Sequence, residues 1–215
     1  MAWTTPATAV AGSTALTAAF WNEQVRDNAL MGRAVYANEA ARDAAIPSPE
    51  EGMICYLTAP TVPAATGETT LVPSGITTIY NGSAWVCTTS VGAYTSTNGT
   101  RATNSFGALS GGGTNPTVTL STGTTALVLF HLSSYGTNGN DAQAAVSVSG
   151  ASTIAATATY GVEIYYPALN RAITYAHAMI IDGLTAGTNT FTLEYYATSG
   201  TANFRRRRIT VQGIA

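Results

Sequence analysis

The sequence predicts a mainly β protein: a short N-terminal helical anchor, a small β-hairpin module, and a C-terminal antiparallel β-sandwich or jelly-roll head that is oligomeric. Three observations carry this. Only 9% of the 215 residues are charged, against about 25% in ordinary soluble chains. Threonine, alanine, serine and glycine dominate instead, a composition that favours strands broken by turns. From residue 117 onward, short strand-like runs alternate with glycine turns. Finally, "ALVLFHL" (126–132) is apolar on both faces and "AITYAHAMII" (172–181) nearly so. A strand with one face in water should alternate, so these runs call for a second burial surface.

Residues 1–12 read as an extended leader containing Pro6 and Gly12. "TALTAAFWNEQVRDNALMGRA" (14–34) has helical spacing, with Thr17 as N-cap and Gly32 as a stop. Phe20, Trp21, Val25 and Ala29 gather on one side of it. A helix this short is marginal alone and wants a partner surface. "YANEAARDAA" (36–45) reads as a second helix, ended by Pro47 and Pro49.

A strand is expected over 52–58, then a Pro/Thr/Gly-rich loop to about residue 75, then a hairpin over 76–88 around Asn81-Gly82. This unit of about 40 residues is below the size that usually holds a core unaided. Residues 89–115 read as a linker plus a first edge strand. Strands are then expected at 117–120, 125–134, 143–149, 153–159, 161–166, 172–181, 189–197 and 204–212. The resulting division is 1–45 for attachment, 46–90 for the small β module and 91–215 for the head.

Copies packed sheet face to sheet face would hide the doubly apolar strands. That places Leu127, Leu129, His131, Tyr175 and His177 near subunit contacts. "NFRRRRITV" (203–211) sets four arginines at the start of a β-branched strand. Simple alternation puts Arg206 and Arg208 with Phe204 and Thr210, and Arg205 and Arg207 with Ile209 and Val211. Arg205 and Arg207 are therefore expected in structural or inter-subunit pairing, with Glu163, Asp182 and Glu194 as candidate partners. A sugar- or phosphate-binding patch and plain solvated charge are the alternatives.

Net charge is −2, which supplies no global basic field for nucleic acid. No apolar run reaches the roughly 20 residues a membrane span requires, and the N-terminus lacks a signal-peptide pattern. Cys55 and Cys87 read as two buried thiols, or as a disulfide if an oxidising compartment is reached. The two histidines have no metal-ligand spacing, and no GxSxG or P-loop is present. "GTNGNDA" (136–142) reads as a surface turn rather than a calcium loop. Neither an enzyme nor a cofactor or metal site is expected.

"WTTPATAVAGSTALTAAFWNEQVRDNALMGR" resembles the N-terminal segment of small virion proteins of tailed bacteriophages, carried by Trp3, Thr4, Thr5, Pro6, Gly12, Thr17, Asn22, Val25, Arg26, Asp27 and Asn28. "ARDAAIPSPEEGMICYL" followed by "IYNGSAWV" is similar to a small module of phage tail and fibre proteins. "GLTAGTNTFTLEYYATSGTANFRRRRITV" resembles the last two strands of their β-sandwich heads. The resemblance implies a virion structural protein, usually trimeric, assembled in the host bacterial cytoplasm. Residues 1–34 would attach to other virion proteins, with Trp3, Pro6, Phe20, Trp21 and Val25 as anchor candidates.

Two roles then stand. One is a tail fibre or tip component that helps contact the host surface, with linked copies adding weak glycan contacts. Tyr135, Tyr160, Tyr165 and Tyr166 are the candidates to stack on sugar, against packing within the sandwich or trimer. The other is capsid decoration or a head fibre with a purely structural role. Neither involves nucleic acid or membrane insertion.

Overall fold

The computed structural model describes residues 34–136, 141–165 and 172–214. The expected helix over 14–34, except for its last residue, the anchor candidates Trp3, Pro6, Phe20, Trp21 and Val25, and Tyr166 lie outside the described residues; Ala34 itself opens a strand.

Strand β1 (Ala34–Tyr36) opens the described chain and pairs in parallel with β2 (Ile54–Leu57). Helix α1 (Glu39–Ala45) lies between them in sequence. It starts three residues later than expected because Asn38 caps it, its side-chain oxygen accepting from the Ala41 N–H at 3.0 Å. Strands β5 (Ile76–Tyr80) and β6 (Trp85–Cys87) form the expected hairpin beside β2. Gly82 takes φ +87° in its turn, and the Asn81 side chain accepts from Ser83 and Ala84 N–H.

Residues 59–75, expected as loop, contain β3 (Ala64–Thr66) and β4 (Thr69–Leu71). Both join the head's sheets rather than the hairpin's. Residues 89–115, expected as a linker with an edge strand, contain β7 (Val91–Thr95) and β8 (Gly99–Arg101). β7 is an interior strand, with Val91 and Ala93 fully buried.

The head continues with β9 (Thr117–Thr122), β10 (Thr125–Gly136), β11 (Asp141–Gly150), β12 (Gly161–Tyr165), β13 (Ile173–Ile181), β14 (Gly187–Ala197) and β15 (Ala202–Ile214). The strand expected over 153–159 is absent. Ile154 makes a single bridge to Val148, and Ala158–Tyr160 form a 3-10 turn.

The front sheet runs β13-β10-β15-β7-β4, with β8 also on β15; the back sheet runs β12-β11-β14-β9-β3. Setting β3, β4 and β8 aside, eight strands cross between the sheets in the jelly-roll order of two Greek keys. Each inner face follows the period of two: Ala126, Val128, Phe130 and Leu132 from the front meet Val146, Val148, Phe191 and Leu193 from the back. Tyr195 and Phe204 stack across the core with ring centroids 4.8 Å apart.

The small sheet leans on one end of the head. Ser121 donates to the Trp85 carbonyl at 2.5 Å. A Cβ on Gly213 would meet the Val86 side chain and the Cys87 carbonyl oxygen at 2.7 Å, so only glycine lets β15 pass β6 this closely. Cys55 and Cys87 lie on either side of Thr78 in one row across β2, β5 and β6. Two strand spacings separate them, roughly 10 Å, beyond disulfide reach. Both are free, buried thiols.

Candidate functional site

The two outer faces of the sandwich differ in chemistry. On the back sheet, strand register sets Ser147 beside Thr192 and Thr117, and Ser149 beside Thr190 and Thr119. Thr119 and Thr190 hydroxyls bond at 2.9 Å, and Thr117 donates to Thr192 at 3.3 Å. This is a surface made for water.

The front sheet carries apolar groups in the equivalent rows. Ile180 pairs with Leu127, and Ala178 with Leu129, which pairs on its other side with Thr210; Thr210 faces Gly92 and Gly92 faces Leu71. Ile180 is 61% exposed, Leu71 48% and Leu129 42%. Large apolar side chains at these exposures on one face, with Thr210 and Gly92 between Leu129 and Leu71, mark an interaction surface more often than a solvated one.

The next row changes character. Ala176, His131, Arg208, Tyr94 and Thr69 lie side by side across β13, β10, β15, β7 and β4. Leu129, His131, Ala176, Ala178, Arg208 and Thr210 contribute to a depression of about 350 Å³ between the apolar and basic rows. Burial, and then the neighbouring Arg208 charge, hold His131 below the usual histidine range.

A bulge governs the arginines. Between His131 and Ser133 on β10 the register skips one residue, while β15 advances from Arg208 to Arg205. Arg206 is the extra residue, exposed and at φ +52°. The alternation expected from sequence therefore breaks. Arg207 joins Ile209 and Val211 inside, whereas Arg205 moves to the outer face with Arg208 and Thr210. Arg205 lies over the Tyr135 ring at 5.5 Å, and Arg208 over Tyr94 at 5.5 Å.

Arg207, expected near a subunit contact, has no exposed surface. Its guanidinium donates to the Thr97 carbonyl at 3.1 Å, to the Gly112 carbonyl, and to Asn115 Oδ1 and the Tyr195 hydroxyl at 3.4 Å each. It ties the segment after β7 to the core through oxygen acceptors, none from the carboxylates proposed for it. Of those, Glu194 accepts from Ser147 at 2.8 Å on the back face.

The other expected contact residues divide by strand parity. Leu127, Leu129 and His131 face outward. Tyr175 and His177 point to the inner side, half-buried, with the His177 ring 5.5 Å from Phe130. Of the sugar-stacking candidates, Tyr165 is 61% exposed, Tyr160 packs against the core, and Tyr135 carries Arg205. Ile180 and Tyr94 were not singled out from sequence. Ile180 shares strand parity with Ala176 and Ala178, but only register shows it beside Leu127. Among the described residues, no cluster of three or more His, Cys, Asp or Glu could hold a metal ion. No helix among them is long and apolar enough to cross a membrane.

No known family matches the sequence, and no curated protein matches it. Among solved structures the chain is similar to the TNF protein Eiger from S. frugiperda, with TM-score 0.41, 10% identity, and coverage of 59% of this chain and 92% of that one. It is also similar to the isomalto-dextranase of Arthrobacter globiformis T6 complexed with panose, with TM-score 0.28, 16% identity, and coverage of 65% of this chain and 26% of that one. The jelly-roll assignment rests on the strand order itself.

Proposed function

We propose that this chain is a structural protein of a tailed-bacteriophage virion, a tail-associated fibre or tip component that contributes to host-surface attachment. The observation that carries the reading is the contrast between the sandwich's two outer faces. A Thr/Ser surface on one side and an Ile180–Leu127–Leu129–Leu71 strip on the other suit a head whose copies clasp each other through the front sheet. The resemblance of 3–33 and 183–211 to virion proteins supplies the setting. The partners are then further copies, as a trimer, and other virion proteins held by residues 1–34. Host-surface glycan would be met by exposed groups at strand ends such as Tyr165.

The head should be oligomeric in dilute solution. Replacing Leu127 and Ile180 together by Asp should yield a folded monomer in sedimentation, with an unchanged far-ultraviolet spectrum. A wild-type chain that stays monomeric at every concentration removes the assembly role. Locating the chain in a reconstruction of the intact particle then tests the tail placement.

Capsid decoration or a head fibre is the second reading. It is favoured by the half-burial of Tyr135 and Tyr160, which leaves little built for sugar. Binding of the full chain to host cells supports attachment; a decorated capsid and no cell binding support decoration.

A further inference from the structure

We propose that the assembled head holds a small oxyanion between its copies, at the row formed by His131 and Arg208. The inference rests on assembly through the front face, argued above.

Burying that face takes the Arg208 row out of water along with the apolar strip, because the two are adjacent rows of one sheet. Arg208 stacks over Tyr94, a ring that lends quadrupole attraction but no negative charge. Among the described residues its guanidinium has no ion pair or hydrogen bond. Arg205 follows one row on, so this end of the face gathers positive charge.

Carboxylates near the row are committed or distant. Glu68 precedes Thr69 of the row, but its two oxygens already accept from the N–H and hydroxyl groups of Ser96 and Thr97. Asp182 is six residues along the chain from Ala176, roughly 20 Å at strand rise. Each added copy would thus bring another unpaired guanidinium into a drying interface, which is costly unless a counter-charge enters.

The depression beside the row is suited to that counter-charge. The Arg208 fork, a His131 ring N–H and the Thr210 hydroxyl are donors for an oxyanion. Leu129, Ala176 and Ala178 limit the water that would compete with them. A free ion from solution suffices, and inorganic phosphate is the natural probe.

The test uses the full chain at neutral pH and constant ionic strength, in chloride with and without millimolar phosphate. Phosphate should tighten the oligomer about tenfold, a shift of about 1.4 kcal/mol. Arg208→Gln should assemble in chloride at least as well as wild type and ignore phosphate. Arg206→Gln, exposed and outside the row, should keep the response. A wild-type oligomer indifferent to phosphate overturns the inference and leaves assembly standing. So does a phosphate response retained in Arg208→Gln. A folded monomer in both salts overturns the assembly reading and this inference with it.

Discussion

Arg207→Met is the sharpest probe of how the head is built. The substitution keeps much of the buried stem and removes the guanidinium. Two backbone carbonyls, the buried one of Gly112 and the part-buried one of Thr97, then lose their donor. Each orphaned buried acceptor costs about 1–3 kcal/mol. Asn115 and Tyr195, reached at 3.4 Å, add little. Removing a buried cation recovers part of its desolvation cost, so the net loss should be about 2–4 kcal/mol. Chemical denaturation at two wavelengths reads this directly. At this chain size each kcal/mol lowers the melting temperature by about 2–4 °C, so the fall should be about 5–15 °C. The effect should also be local. The chain contains no lysine, so trypsin can cut only at arginine, and Arg101 lies in the segment that Arg207 ties down. Cleavage after Arg101 should quicken in the variant while Arg42, buried in α1, stays protected. A variant within about 0.5 kcal/mol of wild type, with unchanged cleavage at Arg101, would refute the reasoning that this arginine is a structural tie.

Arg206→Gly should stabilise the head by up to about 1 kcal/mol, because φ +52° is strained for arginine and free for glycine; a lower denaturation midpoint would contradict this. Hydrogen bonds from Ser96 and Thr97 side chains, then from their backbone N–H groups, lower the Glu68 carboxyl from 4.5 to about 2. Since the folded value is depressed, its stabilising contribution is complete above pH 4.5 and fades as pH falls toward 2. Carboxyl NMR should place its midpoint near the lower value, and Glu68→Gln should flatten that part of the acid-stability curve. Cys55 and Cys87 should both resist thiol reagents in the native protein and react on unfolding, with burial pushing the Cys55 thiol up to about 11; an intact-mass loss of two hydrogen atoms on mild oxidation of the native monomer would contradict the separation across Thr78.

Legibility of the fold followed the strength of local signals. β10, β13, β14 and β15 have long β-branched or aromatic runs, and the Asn81-Gly82 turn announces its hairpin. β3, "AAT", and β4, "TTL", have no apolar rhythm, and β7, "VGAYT", sits among turn-forming residues. Their positions come from the strands they pair with, which local sequence does not contain. The run at 153–159 has strand composition yet finds no partner beyond one bridge. For the arginines, period-two reasoning placed Arg207 correctly with Ile209 and Val211. It misplaced Arg205 because one bulged residue inverts parity upstream, and nothing in four identical side chains marks which is the insertion. The outward set on β10 was readable; that Ile180 and Arg208 flank it was not, since neighbours across a sheet are set by register.

β15 lies between β10 on one side and β7 with β8 on the other. Both of those neighbours are synthesised long before it, and neither can close the sheet with the other. A nascent chain on the ribosome therefore carries two open strand edges until residues 202–214 emerge. The front sheet closes only when those residues are available, and any early stop before them should leave a sticky, degradable fragment rather than a smaller working one.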